Sequence, residues 1–206
     1  MKICVMQPYF IPYPGYYLLH KYVDTFVIFD DVQFNRKGFV HRNKLIINQN
    51  ISWLTLPLKK KDRSAKIFDL EFNLNSQIYN KFCNKIKLLL PNPNLSFIEK
   101  YFLDFNKKPI DYIIDINKKI IEKLDIKNNF ILSSQISDKK LNGEKKIIDI
   151  CKKLEATEYF NLPGGEDFYD KKNFLNEKIK INFLPEFIGD KISIINYFLR
   201  DDNFKI

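Results

Sequence analysis

MKICVMQPYFIPYPGYYLLHKYVDTFVIFDDVQFNRKGFVHRNK, residues 1–44, gathers most of the chain's unusual polar and aromatic residues. Residues 3–6 (ICVM) are a short apolar run that stops at Gln7-Pro8, the pattern of a strand in the middle of a parallel sheet. Pro8, Pro12 and Pro14 remove backbone donors and favour extended or turn geometry. Gly15 permits close backbone approach where a helix, expected over residues 16–23, begins. Residues 25–29 (TFVIF) are a second strand-like run, ending at Asp30-Asp31-Val32-Gln33; the chain then turns basic through Arg36, Lys37, His41, Arg42 and Lys44. Strand, loop, helix, strand is the opening of an α/β fold with an open, mainly parallel sheet.

In such sheets ligands bind beyond the carboxyl ends of the strands, which puts the 7–15 loop and the 30–33 segment on one expected crevice. A plainer reading stands beside it, in which Asp30 and Asp31 cap a turn and the tyrosines are half-buried wedges.

Further along, residues 43–49 and 51–58 read as two strands joined at Asn48-Gln49-Asn50, the second carrying the single tryptophan, Trp53. Residues 59–66 (KKKDRSAK) are a dense positive run without apolar periodicity, either a solvated loop or an arm that closes over phosphates. A strand is expected over 67–72. Amphipathic helices are expected over 76–90, 98–105 and 109–124, from apolar residues recurring at three and four. The domain expectation is one α/β unit over 1–206, with residues 74–126 as a helical insertion or lobe. Residues 130–132 look like a returning strand with Ser133-Ser134-Gln135 at its carboxyl end, hydroxyls that either reach a ligand or cap a turn. A helix is expected over 144–154, with Lys145 and Lys146 in its first turn, where the helix dipole disfavours them. A strand at 159–163 opens into Gly164-Gly165, which allow close backbone approach but lack the spacing of a Walker or dinucleotide loop. A helix over 168–175, a strand over 179–184 and a terminal helix over 192–199 complete the reading.

The 206 residues carry 34 basic and 25 acidic side chains, a formal charge of +9. That balance favours an anionic ligand, a nucleic acid or an acidic membrane surface, and charge does not choose among them. Three cysteines, Cys4, Cys83 and Cys151, are far apart with no CxxC pair, which argues for a reducing compartment and against a disulfide framework. Only four apolar residues follow Met1-Lys2, too few for a signal peptide, and no apolar run approaches the ~20 residues of a membrane helix. A cytoplasmic protein is expected. His20 and His41 share no metal-ligand spacing, so no metal is expected. No cofactor can be named from the sequence.

The runs MQPYFIPYPGYYLL, DTFVIFDDVQF, RKGFVHRNK and WLTLPL, followed by SSQI, NGEKKIIDICKKLEATEYFNLPGGEDFYD and IKINFLPEF in the same order, resemble the WbqC-like family of bacterial polysaccharide-cluster proteins. That resemblance covers nearly the whole chain. It implies a role in building surface sugars such as O-antigen, with transfer of glycine or another acyl group to an amino sugar. The first block also looks like the opening of nucleotidylyltransferases and pantothenate synthetase, a Rossmann-like arrangement in which an H-x-G-H element binds ATP. Here Pro12-Tyr13-Pro14-Gly15-Tyr16 keeps the glycine and lacks the histidines.

The resulting expectation is a transferase acting on a nucleotide-linked amino sugar with an acyl or amino-acid donor, and no stable nucleic-acid partner. Asp30, Asp31 and His41 are the candidate acid–base groups. Arg36, Lys37, Arg42 and Lys44 suit a diphosphate, and Tyr9 or Trp53 a base or sugar face. Gln7, Gly15, Tyr16, Gln33, Asn43, Ser134, Gly164 and Gly165 complete the candidate binding set. Asp31→Asn and Arg42→Ala are both expected to abolish binding with little change in melting temperature. The alternatives are a non-enzymatic partner in a polysaccharide assembly complex, and a nucleic-acid binder.

Overall fold

Strand and helix signals in the sequence resolve into fifteen named elements in the computed structural model, which describes residues 1–206. In chain order the strands are β1 (Lys2–Met6), β2 (Thr25–Ile28), β3 (Arg42–Ile47), β4 (Asn50–Thr55), β5 (Asn129–Leu132), β6 (Glu158–Asn161) and β7 (Lys180–Phe183). The α-helices are α1 (Pro14–Tyr22), α2 (Gln77–Leu89), α3 (Glu99–Phe102), α4 (Pro109–Lys123), α5 (Ser133–Ile136), α6 (Gly143–Lys153), α7 (Lys171–Asn176) and α8 (Ile195–Arg200). The chain divides into two compact units: the first comprises residues 1–7, 15–31 and 126–189, the second residues 8–14, 32–125 and 190–206.

The first unit is built on a five-stranded sheet in the order β5-β2-β1-β6-β7, with every pair parallel. Counted within the unit this is order 3-2-1-4-5, the doubly wound arrangement, and its direction of winding reverses between β1 and β6. The α/β expectation with a mainly parallel sheet is therefore met. β1 and β2 are buried on both faces, which explains why their sequences read as continuous apolar runs rather than alternating ones. Ile3, Val5 and Val27 pack with Ile147, Ile150 and Cys151 of α6. On the opposite face Phe26 stacks on His20 of α1, ring centroids 3.8 Å apart. Successive side chains of a strand point to opposite faces, so the two helices cover the two sides of the sheet.

The second unit holds a separate β3–β4 antiparallel hairpin in register Arg42 to Thr55. Its turn residues Asn48 and Gln49 both have positive φ, 49° and 64°, the two-residue geometry whose twist matches the flanking strands. Ser76 caps α2 by accepting from the Tyr79 amide. Phe82, Phe105 and Tyr112 form an aromatic core, Phe105 and Tyr112 stacked at 5.4 Å.

Two expectations need correction. Residues 67–72 are not a strand: Ile67–Asp69 is a 3-10 turn, and only Phe72 forms a bridge, to Leu58. Asp69 Oδ2 accepts the Lys66 amide at 3.1 Å, a local side-chain bond that competes with a ladder. The helix expected over 168–175 is α7, which starts later, at Lys171 with Asp170 as its cap, because residues 163–168 form a 3-10 stretch before it. No helix is long and apolar enough to cross a membrane.

Candidate functional site

Asp30 and Asp31 follow β2 after the single residue Phe29, and α5 follows directly on its sheet neighbour β5. This brings two aspartates and three serines together at one end of the first unit's sheet. Asp30 is 1% exposed and Asp31 3%. Asp30 Oδ1 accepts the Ser134 amide at 2.9 Å, and Oδ2 accepts the Ser134 hydroxyl at 2.6 Å. Ser133 Oγ lies 2.9 Å from Asp30 Oδ1 and 2.5 Å from Asp31 Oδ1. One hydroxyl carries one proton, so it serves one carboxylate at a time. The same oxygen accepts the Asp30 amide at 3.2 Å. Asp31 Oδ2 accepts from Ser137 Oγ at 2.6 Å and from the Lys146 ammonium.

Lys146 is the residue that the sequence misplaced. Its place near the start of α6 sets it against the helix dipole, yet it is 2% exposed and forms a buried ion pair with Asp31. The signal lay in its spacing. Lys146, Ile147, Ile150 and Cys151 are one buried stripe of α6, so a lysine occupies a core position. A buried cation must be paired, and Asp31 supplies the charge. Burial pushes the Asp31 carboxyl up, but hydrogen bonds from Lys146, Ser133 and Ser137 and the Lys146 charge outweigh it, leaving its pKa below the usual value. All four carboxylate oxygens are engaged within the cluster. The expectation that Asp31→Asn changes the melting temperature little does not survive this geometry, because the substitution strips the charge opposite a buried ammonium.

The other candidates of the first unit are structural neighbours of the sheet. Tyr16 is buried and its hydroxyl donates to the Gln7 carbonyl at 2.9 Å, while Gly15 lies at the start of α1. Gly164 and Gly165 sit in the 3-10 stretch after β6. A Cβ at Gly165 would stand 2.8 Å from Asn161 Nδ2, the amide that donates to the hydroxyls of Tyr159 and Tyr169. Gly164 has open space around it.

The second unit holds the basic and aromatic candidates. The Arg42 guanidinium lies 4.5 Å from the centroid of Trp53, and Lys44 Nζ 5.4 Å from it. β3 and β4 place these three side chains together, since Lys44 is the register partner of Trp53 and Arg42 lies two residues along on the same face. Phe39 extends the surface: its ring is 6.1 Å from Trp53 and 5.8 Å from Tyr9. Phe39 and Trp53 are 39% and 36% exposed. Arg42 Nη2 donates to the Lys37 carbonyl at 3.0 Å, which fixes the fork over the indole; no carboxylate pairs with Arg36, Lys37, Arg42 or Lys44.

Asn43, expected at the ligand, is instead a buried brace. Its Nδ2 donates to the carbonyls of Phe10 and Ile11 at 3.1 and 3.0 Å. Ile11 is a buried β-branched residue at φ 40°, a strained conformation that Asn43 holds in place. Gln33 and Arg36 are likewise occupied. Gln33 Nε2 donates to the Arg63 carbonyl and Arg36 Nη2 to the Lys61 carbonyl, both at 2.5 Å, so the 59–66 run is tied down rather than a free arm. His41 packs edge-on against Phe34, and its buried Nδ1 has no partner. Burial, with the charges of Arg42 and Arg36, lowers its pKa to about 4, so the ring is neutral at pH 7.

Among known proteins, an uncharacterised protein of Mycobacterium tuberculosis is 24% identical over 204 residues, covering 88% of this chain and 81% of its own length. No solved structure matches the chain. The match that decides its kinship is to the WbqC-like protein family, which aligns with residues 7–188, and the chain belongs to that family.

Proposed function

We propose that the protein is a transferase acting on a nucleotide-linked amino sugar, joining an acyl or aminoacyl group, glycyl among them, to the sugar nitrogen as an amide in bacterial surface-polysaccharide assembly. The observation that carries this reading is the platform of Arg42 and Lys44 over Trp53. It offers cations answered by aromatic rings rather than by carboxylates, beside the exposed ring of Phe39. A planar base stacks on such rings, and a diphosphate matches the guanidinium fork. In the transfer the amine attacks the carbonyl carbon of the activated donor, the donor's leaving group departs with its bonding electrons, and the amine sheds a proton. His41 is the neutral group in the same unit able to accept that proton. Burial is the main cause of its weakened basicity, and the guanidinium charges that add to it are the ones a bound diphosphate offsets. Asp30 and Asp31, with every oxygen engaged, hold the end of the sheet in this reading and take no proton from substrate.

The test is isothermal titration with a UDP-hexosamine, free UDP, the free hexosamine and a short oligonucleotide. Saturable binding of the UDP-sugar that weakens at least ~10-fold, about 1.4 kcal/mol, in Arg42→Ala supports the reading. An oligonucleotide binding more tightly than any small molecule, with a steep salt dependence, would replace it with the nucleic-acid alternative. A second reading, a non-enzymatic assembly partner, is favoured by the exposure of Phe168 (77%), Leu175 (71%) and Ile188 (97%) in the first unit. It predicts no saturation by any small molecule.

A further inference from the structure

The helical part of the second unit carries a recess of about 290 Å³ lined by Phe97, Lys100, Tyr101, Lys119, Glu122 and Lys123. α3 supplies Lys100 and Tyr101, and the last turns of α4 supply Lys119, Glu122 and Lys123. Phe97 and Tyr101 are half-buried and form the apolar wall. The ammonium groups stand over these rings: Lys100 Nζ is 5.2 Å and Lys119 Nζ 5.7 Å from the Tyr101 centroid, and Lys123 Nζ is 5.6 Å from that of Phe97. Lys119 pairs with Glu122 and Lys123 with Asp202, each at 2.6 Å, whereas Lys100 has no carboxylate partner.

Glu122 answers Lys119 and Asp202 answers Lys123, so the surplus positive charge at the recess is that of Lys100. An exposed ammonium gains only about 0.5–1 kcal/mol from an aromatic face, so Lys100 remains available to a stronger anionic partner. Surface pairs such as Lys119–Glu122 are worth ~1 kcal/mol or less and yield readily to a dianion. The rings add what a bare ion does not need: an apolar face for the C–H side of a sugar. The volume lies at the lower limit of small-molecule sites, about 300–1,000 Å³, which suits a monosaccharide phosphate and is tight for a nucleotide-linked sugar.

We propose that this recess is a second, separate binding site that takes a phosphorylated monosaccharide, with the phosphate between Lys100 and Lys119 and the sugar ring against Tyr101. It shares no residue with the Arg42–Trp53 platform and does not depend on what the platform binds. Titrating the full chain calorimetrically with glucose 6-phosphate, glucose and inorganic phosphate tests it. Glucose 6-phosphate saturates a site, inorganic phosphate binds more weakly, and glucose does not bind. Lys100→Glu weakens glucose 6-phosphate at least ~10-fold, Lys119→Gln and Tyr101→Leu each several-fold, and Arg42→Ala has no effect. Lys100 is exposed, so its variant is expected to melt with the parent, and Lys119→Gln provides the same reading should it not. The proposal is overturned if glucose 6-phosphate fails to saturate at millimolar concentration, if phosphate alone binds equally well, or if the lysine variants bind as the parent does. Loss of glucose 6-phosphate binding in Arg42→Ala would also overturn it, by assigning that ligand to the platform.

Discussion

The two units handle charge in opposite ways. In the first, Asp30, Asp31 and Lys146 are turned inward, and each is answered by a serine, an amide or the opposite charge. In the second, Arg42 and Lys44 are turned towards a partly exposed indole, with no acid opposite them. A buried ion pair is costly to desolvate and costlier to break, so its residues serve the fold first. Cations over rings cost little to hold and are therefore the better candidates for a ligand. The contrast teaches that the most polar cluster of a chain need not be its binding site.

The largest expected effect tests the inward half of the contrast. Lys146→Met leaves the Asp31 carboxylate buried without its cation and should cost about 3–5 kcal/mol in urea unfolding. Adding Asp31→Asn removes the orphaned charge and should recover part of that loss, the two changes being strongly non-additive. A single-variant cost below about 1 kcal/mol would mean the pair is dispensable to folding and would free Asp31 for the acid–base role that the sequence suggests.

Asn43→Ala comes next, at about 2–3 kcal/mol, because it strands two carbonyls and releases the strained turn at Ile11. A near-neutral result would free Asn43 for the binding role that its place in the sequence suggested.

These two residues show what could and could not be read in advance. The parallel sheet was legible because β1 and β2 are apolar on both faces, and the hairpin because Asn48-Gln49 punctuates two β-rich runs. Asp30, Asp31 and Ser134 were each legible as strand-end residues, but not as one group, since only the pairing of β2 with β5 brings them side by side. Lys146 was not, since its partner is 115 residues away and its helix position looked like a solvated first turn. Nor was the bracing role of Asn43: a polar residue on a strand says nothing of which carbonyls it will meet across 32 residues of chain.

Acid should act through the histidines, with an effect of intermediate size. Burial lowers the His20 pKa to about 3, opposed by its bond to Asn128, and that of His41 to about 4. Below the usual value of 6.5 the unfolded chain takes up protons that the folded chain refuses, so stability falls as pH falls. From pH 6.5 to 5, His20 alone should account for about 2 kcal/mol, at 1.36 kcal/mol per pH unit. Asp31 adds nothing in that window, because its depressed pKa confines its contribution to pH below its usual 3.8. Unfolding curves of the parent and of His20→Phe between pH 7 and 5 measure the difference: the variant, which keeps the ring stack on Phe26, should have the flatter profile. Equal slopes would show that His20 is protonated in the folded state.

The smallest effect on folding is expected at Arg42, and there the contrast between the units is sharpest. Arg42→Ala gives up a stacked guanidinium on a partly exposed ring and one well-placed bond to the Lys37 carbonyl, together about 1–2 kcal/mol. Arg42→Lys keeps the charge but loses the planar fork, so it separates the two ways in which the residue can hold an anion. If the platform grips a diphosphate through the fork, both variants should weaken UDP-sugar binding by a similar factor while melting close to the parent. If a point charge suffices, the lysine variant should bind nearly as the parent does, and the specificity must then come from the rings of Trp53 and Phe39. A large fall in melting temperature for Arg42→Ala would erase the contrast itself, because the outward cations would then be holding the fold as the inward ones do.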